Sequence, residues 1–530
     1  MSSLLGRKQN QINFSNLETW CNKPLVPEDS FYGLLARFGD RLIEDDDFAE
    51  LYAGIGRPSN SPALLAKVLL LMYHDDVSDR EAEQRARYDL RWKHALNLGL
   101  DETGFDHTAL CRFRSGLLIH DKQRLVFERF IALAQEAKIL KTTGATHIID
   151  STYVLGAGAV QDTYNLIKSA VRRVLRVTRR NPKLNARLKG VLNPEINYEK
   201  AGKPKINWDN PQEKKQLLTK LVRDAQNVQE ILTAAGEELS PAETQATELL
   251  RAVTLQDVKE NEDGTYEIKK GTAPDRIVST TDPEMRHVHK SARTFEGHKV
   301  QVVADKDTGI ITNVAVTAGN AHDSAALPTA VTEQSIKPAV VMGDTAYGAT
   351  NVRKDMTAEK IELIAPAPPG PKRENRFSKE DFNVDLETMT CTCPAGHTTK
   401  KYRSKQRLFL FDKRICNPCL LRDRCTKHGR GRTVRLHEEE AILQQARRQQ
   451  KTDSFKQVYR FRSLVEREIA EMVFHGARQA RYIGRVKTQL QMLFTAAVVN
   501  LKALRRFFYR NDGDRNDDYC KGVSVSLGLI

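Results

Sequence analysis

No run of about 18 apolar residues occurs in the 530-residue chain, so no membrane-spanning helix is expected. The opening Met1-Ser2-Ser3-Leu4-Leu5-Gly6-Arg7-Lys8 lacks the apolar core of a secretory signal, and a cytoplasmic protein is expected. The eight cysteines are not spread as a disulfide framework; five of them crowd into residues 391–425, which in a reducing compartment reads as metal binding before disulfide bonding. Acidic residues are in deficit: 68 Asp and Glu face 83 Lys and Arg, a net charge of +15. A polyanionic partner is therefore expected, nucleic acid first, because neutralised phosphates release counterions. A basic enzyme with no such partner is the alternative that charge alone leaves open. The apolar content of 40% is enough for globular folding, and the length suits two to four domains.

What is present is organised around three acids on three separate stretches. Asp150 follows Ala145-Thr146-His147-Ile148-Ile149 and precedes Ser151-Thr152. Asp344 follows Ala339-Val340-Val341-Met342-Gly343 and precedes Thr345-Ala346-Tyr347. Each is expected to end a short β-branched strand, where a sheet meets solvent. Glu466 closes Tyr459-Arg460-Phe461-Arg462-Ser463-Leu464-Val465-Glu466 and is expected on a helix. Three such acids, if they converge, make an oxygen cage for hard divalent cations.

The surrounding chain reads as follows. Residues 1–40 form an N-terminal segment. Within 41–120, Ser61-Pro62 opens a helix with proline at its first position, and Leu64, Leu65, Val68, Leu69 and Met72 follow at helical spacing. Ser78-Asp79-Arg80-Glu81 reads as a capping box. A later short helix carries Leu110, Arg112, Phe113 and Arg114. This suits a helix-turn-helix-like DNA-binding domain; a plain bundle with solvated arginines is the alternative. Residues 155–280 read as a helical insertion, with a basic helix near 162–180, a loop over 181–210 and long polar helices at 211–236 and 240–259. Its charged faces are expected to be solvated or to track DNA. Residues 294–305 and 310–317 form a hairpin around Asp305-Lys306-Asp307-Thr308-Gly309. A helix from about Asp323, with Asp323 as its cap, leads to the strand before Asp344. With the insertion omitted, this order is the connectivity of a ribonuclease-H-like core spanning 121–154 and 281–372, and it would set Asp150 and Asp344 on neighbouring strands. A basic cysteine-rich insertion occupies 373–437, the C-terminal helices 438–510 complete the core, and 511–530 is a tail. The fold class is thus α/β: a mixed-sheet core with a helical N-terminal domain and two insertions.

Tyr459, Arg462 and Glu466 share one helix face, where Arg462 could hold a phosphate or orient the carboxylate. Arg478, Arg481 and Arg485 repeat the same spacing and are expected to form one basic helical stripe suited to a DNA backbone. Cys416-Asn417-Pro418-Cys419, with Cys425 six residues on and Cys391-Thr392-Cys393-Pro394-Ala395-Gly396-His397 upstream, suits a tetrahedral zinc site. Cys393, Cys416, Cys419 and Cys425 are the expected ligands, with Cys391 or His397 as substitutes; free thiols in a loop are the alternative. Residues 400–435 hold 13 Lys or Arg against two Asp, so this segment is expected to clamp DNA.

Taken together, these motifs resemble the DDE transposases of bacterial insertion sequences that have a ribonuclease-H-like core. The resemblance rests on Ile149-Asp150-Ser151-Thr152, Gly343-Asp344-Thr345-Ala346-Tyr347 and Tyr459…Arg462…Glu466, in that order. Asp282-Pro283-Glu284, Gly297-His298-Lys299, Asn320-Ala321-His322-Asp323 and the helical segment 60–115 add to it. Where the family signature often continues to a lysine seven residues after the glutamate, this chain has Val473, and the arginines at 478 and 481 would take its place. The resemblance implies that Asp150, Asp344 and Glu466 bind two Mg2+ (or Mn2+) ions. It further implies cleavage at the terminal inverted repeats, strand transfer into target DNA, and at least a homodimer on double-stranded DNA at the nucleoid. The expected DNA contacts are Arg462, Tyr459, Arg478, Arg481, Arg485, Arg112 and Arg114, with Lys299 at the DNA or solvated. A catalytically degenerate DNA-binding relative, or a metal-dependent nuclease that does not join strands, are the competing readings.

Overall fold

Alternating β-branched residues build one mixed sheet, seen in a computed structural model that describes residues 24–52, 60–236, 239–290, 293–370 and 375–509. The tail expected at 511–530 and residues 1–23 of the N-terminal segment lie outside the described residues. The strands are β1 (Thr146–Leu155), β2 (Arg286–Lys290), β3 (Arg293–Asp305), β4 (Ile311–Ala318), β5 (Val340–Met342) and β6 (Glu362–Ile364). β1 is central. It pairs antiparallel with β3 on one side and parallel with β5 on the other, and β6 lies parallel beyond β5. β2 and β4 lie end to end along the outer edge of β3. The β3–β4 turn is held by Asp305, whose Oδ1 accepts from the backbone N–H of Thr308 at 2.8 Å, and Gly309 takes the positive φ of 74° that closes it.

One core fills the space between a face of this sheet, the N-terminal helices and the long helix Arg485–Phe508. Leu69, Tyr73, Trp92 and Phe130 meet Ile148, Val300, Val302, Leu493 and Val498 in it, all nearly or fully buried. The other face packs Ile149, Val303 and Val341 on the helices Asp323–Thr332 and Thr350–Ala358. The insertion has a separate core around Leu166, Leu218, Leu221 and Leu250, and the cysteine-rich segment a small one around Phe409 and Val434.

Several local expectations are corrected. β1 does not end at Asp150 but runs on to Leu155, because Ser151-Thr152-Tyr153-Val154 stays β-prone and pairs with β3 throughout. The loop expected over 181–210 contains a helix, Pro182–Gly190, started by the Asn181 cap with proline at the first position. Ser78 caps its helix, but the Glu81 carboxylate turns to Arg85 (2.8 Å) instead of back to the cap. The cap before Asp323 is His322, whose ring accepts from Ser324 N–H at 3.2 Å. The helical stripe of arginines does not form. Gly476 (φ 84°) and Gly484 (φ 91°) break the helix, and residues 478–480 return alongside the end of β1, with Leu155 N–H on Arg478 O at 2.9 Å.

The outer edge of β4 is covered by side chains of the long helix rather than by another strand. Gln489 Oε1 accepts from Val316 N–H (2.7 Å) and its Nε2 donates to Val314 O (2.8 Å). Asn500, three turns on, does the same for both backbone groups of Ile311 (2.7 and 2.8 Å). These bonds satisfy an edge that would otherwise be a template for association. Asn500 is fully buried, so Asn500→Leu would leave an N–H and a C=O unpaired, a loss of about 3 kcal/mol of unfolding free energy. Urea denaturation with unchanged m-value is the measurement.

Candidate active site

On β1, Asp150 lies on the face that also carries Ile148 and Val154, the face toward the shared core. Ile148 stands opposite Met342 on parallel β5. Continued two residues along both chains, that register brings Asp150 level with Asp344. β5 stops at Met342 because Gly343 and Asp344 enter a tight turn, Thr345–Tyr347, capped by the Asp344 carboxylate (Ala346 N–H to Oδ1, 2.8 Å). Glycine is required at 343: a Cβ there would lie 2.7 Å from the Tyr347 ring. The neighbouring strand thus ends where Asp150 emerges, leaving a notch in the sheet.

The helix Leu464–Met472 lies over that notch, fixed by Val465 and Met472 in the shared core. Glu466 is one position beyond Val465 and points to the border of the buried face. Arg462, in the tight turn Arg460–Ser463 before the helix, joins the acids: Nη1 lies 3.1 Å from Asp150 Oδ2 and Nη2 2.5 Å from Glu466 Oε1. Asp150 Oδ1 accepts from Ser151 N–H at 2.7 Å. Burial raises the Asp150 pKa above its ordinary value; Ser151 N–H and Arg462 oppose this, and the charges of Asp344 and Glu466 add to it. Tyr459 is half-buried beside the same group; burial raises its hydroxyl pKa, Arg462 opposes, and Asp344 and Asp150 add. The three acids, Arg462 and Tyr459 are therefore one electrostatic unit.

A polar network on the other face of the sheet was not legible in advance. Tyr347 Oη donates to Gln301 Oε1 (2.5 Å), and Gln301 Nε2 donates to Asp323 Oδ1 (3.0 Å). Lys299 Nζ lies 3.2 Å from that same oxygen and donates to Ala321 O at 2.7 Å. Lys299 is 5% exposed, so it is neither solvated nor at a DNA surface; it ties the helix start to the sheet. The signal for Gln301 was its place two residues after Lys299 on one strand face.

Of the other expected DNA contacts, Arg112 is exposed. Arg114 is instead a buried structural residue, donating to both Asp79 oxygens (2.9 and 2.5 Å) beneath Tyr482. Arg478 is exposed and donates to Thr152 Oγ1 (3.0 Å) and Tyr153 O (2.9 Å), beside the acids' strand. Arg481 is turned inward to Val77 O (2.6 Å) and Asp76. Arg485 pairs with Glu284 at 2.9 Å and is about half exposed.

Cys393, Cys416, Cys419, Cys425 and His397 line one small pocket. The short helices Lys413–Cys416 and Arg422–Cys425 present Cys416 and Cys425, the link between them presents Cys419, and a tight turn with Gly396 N–H on Cys393 O (2.9 Å) presents the fourth. Burial raises the Cys425 pKa; Arg432 opposes, and the other three thiols add to it. Cys391 is different. It is fully buried in the apolar core of this segment, and burial pushes its thiol up to about 12. A separate group, Glu83, Asp106 and His107, has ligand atoms within 4.8 Å of one another. The start of the helix His107–Ile119 accounts for it, since Glu83 Oε2 accepts from His107 N–H and Asp106 Oδ1 from Thr108 N–H.

Because the folded-state pKa of Asp150 is raised, its favourable contribution is present below the ordinary carboxylate range and lost as pH rises through the raised value. Asp150→Asn should therefore raise the melting temperature near pH 7 in chelator, with the gain gone below the carboxylate range. A thermal melt series against pH checks this.

Two family models match the chain. One, described as a Transposase DDE domain, covers residues 392–505, and the other, described as a Transposase domain (DUF772), covers residues 21–116. The first takes in the four pocket cysteines, Arg462 and Glu466; Asp150 and Asp344 lie between the two matches. No curated protein and no solved structure matched. With a transposase match on either side of the segment that holds the two aspartates, the family matches support a DDE transposase of an insertion sequence.

Proposed function

We propose that this protein binds the terminal inverted repeats of its insertion sequence and catalyses metal-dependent strand cleavage and strand transfer into target DNA. The observation that carries the reading is that Arg462 bonds Asp150 of β1 and Glu466 of a C-terminal helix at once, while the charge of Asp344, from the turn after β5, also acts on Asp150. A ribonuclease-H-like core is supported by the order β4-β3-β1-β5-β6, with β3 antiparallel and β5 and β6 parallel to β1.

The donor set fits divalent magnesium or manganese. It consists of hard carboxylate oxygens, and the buried Asp150 resists ionising unless a cation compensates it. Two bound ions would supply the activation of water or a 3′-hydroxyl and the stabilisation of the leaving oxygen. The residues themselves do the positioning. Backbone N–H groups fix one oxygen each of Asp150 and Asp344. Arg462, which neutralises Asp150 and Glu466, would turn its fork to the scissile phosphate once the acids hold metal. Exposed Arg478, beside Thr152, and Arg485 are the proposed contacts to the DNA backbone near the acids, with Tyr459 against the end nucleotides. The helical segment 41–120, with exposed Arg112, is the proposed end-binding part. Pairing two ends calls for a homodimer on DNA.

The thiols of Cys393, Cys416, Cys419 and Cys425 fit a structural zinc, with His397 as the alternate; burial of Cys391 in the apolar core removes it from the set. The expected outcome is one zinc per chain by native mass spectrometry, lost in Cys419→Ser and kept in Cys391→Ala.

Strand transfer tests the whole reading. The protein is incubated with Mg2+ or Mn2+, a labelled duplex of the repeats flanking its gene, and a supercoiled plasmid. Metal-dependent joining is expected, abolished in Glu466→Gln and Asp344→Ala. Cutting without joining would make the protein a nuclease, binding with neither would make it a DNA-binding relic, and cleavage surviving Asp344→Ala would remove the triad.

A further inference from the structure

The insertion between β1 and β2 lies outside both family matches, which end at 116 and resume at 392. Its first part is strongly one-signed: residues 163–210 contain 12 Lys or Arg and three Asp or Glu. On the helix Thr163–Val177, Lys168, Arg172 and Arg176 follow at i, i+4 and i+8 and share a face, and exposed Arg179 continues past its end. The opposite face, Leu166, Ala170, Val171 and Val174, is buried in the insertion's core.

Lys168 is the telling residue. It is 5% exposed, yet its ammonium donates to a neutral group, Gly202 O, at 2.9 Å. Burial lowers its pKa, and nearby Arg172 and Lys200 lower it further. A buried cation facing other cations is unfavourable unless an anion arrives. Around it, loop residues Lys200 and Lys205 line one cleft with Lys168. Of the acids nearby, Glu195 is paired with Lys220 and Glu199 with Lys189, and Glu213, also in the cleft lining, accepts from Asn207 N–H and Asn210 Nδ2. Among the described residues, Arg172, Arg176, Arg179, Lys200 and Lys205 have no acidic partner.

The loop is also built in place. Buried Asp224 of the long helix Pro211–Ala235 accepts from Tyr198 Oη (2.7 Å) and Asn193 N–H (3.0 Å). Asn197 Oδ1 caps the turn by accepting from Glu199 and Lys200 N–H, each at 3.0 Å. A fixed row of cations is what a polyanion with regularly spaced charges needs. From Arg172 to Arg179 the helical rise gives about 10 Å, the axial length of about three phosphates on one strand, at roughly 3.4 Å each.

We propose that this face of the insertion is a second DNA-binding surface, gripping the phosphate backbone of duplex DNA without regard to sequence. It rests on the reading of DNA as substrate and adds a contact outside both matched segments.

The test uses the full chain and a labelled duplex of arbitrary sequence, titrated over a salt series. The variant Arg176→Gln/Lys200→Gln/Lys205→Gln should bind about tenfold more weakly at low salt. Its slope of log affinity against log salt should fall by about three, near one per lost phosphate contact. On the unaltered protein, duplex should protect Lys200 and Lys205 from acetylation, read by peptide mass spectrometry, so a poorly folding variant does not decide the matter. Wild-type binding with an unchanged slope in the variant and no protection would overturn the surface and leave the transposase reading standing. Protection by single-stranded RNA but not by duplex would also overturn it. No duplex binding by the wild type would overturn both readings.

Discussion

Bringing like charges together is the constraint on which this molecule depends. Asp150, Asp344 and Glu466 come from three distant parts of the chain, and the charges of the other two raise the cost of ionising Asp150. In a partly buried notch such repulsion is several times what it would be in water. Arg462 offsets it by bonding Asp150 and Glu466 at once. A site of this kind stays assembled only if the elements beneath it cannot drift apart.

The shared core supplies that rigidity. The helix bearing Glu466 is fixed by Val465 and Met472, the sheet by the long C-terminal helix, and the long helix by the N-terminal helices, all in one continuous apolar cluster. Motifs that read as family signatures outside the acids turn out to be joints of this frame. Asp282 accepts from Gly484 N–H at 3.1 Å, and Glu284 from Arg485 N–H at 2.8 Å, so together they fix the start of the long helix. Fully buried His298 lies 3.4 Å from Asp282 and, with the Gly484 N–H, holds its carboxyl low against the opposing effect of burial. Lys299, Gln301, Asp323 and Tyr347 form the second joint, between the sheet and the turn that carries Asp344.

By contrast, the insertion and the cysteine-rich segment have cores of their own. They are attached to the frame without being part of it. Each carries a stretch in which positive charge far outnumbers acids, residues 163–210 in the one and 400–435 in the other, which suits the polyanionic partner proposed above.

The sequence by itself determined the strand through Asp150, the strand before Asp344, the helix that holds Glu466, the caps at Ser61 and Ser78, and the grouping of the cysteines. Each of these is set by residues a few positions apart: β-branched runs, a hydroxyl before a proline, a Cys-x-x-Cys spacing. The tertiary structure decided what depends on contacts across the chain. The register of Ile148 on Met342 levels Asp150 with Asp344, and no local pattern contains that pairing. Two glycines at positive φ dispersed three arginines that a helical period would have aligned. Lys299 and Arg114 read as surface cations because charge usually prefers water, yet Asp323 and Asp79 paired with them inside. A buried charge is fixed by its partner, and a partner far along the chain is chosen only when the fold closes.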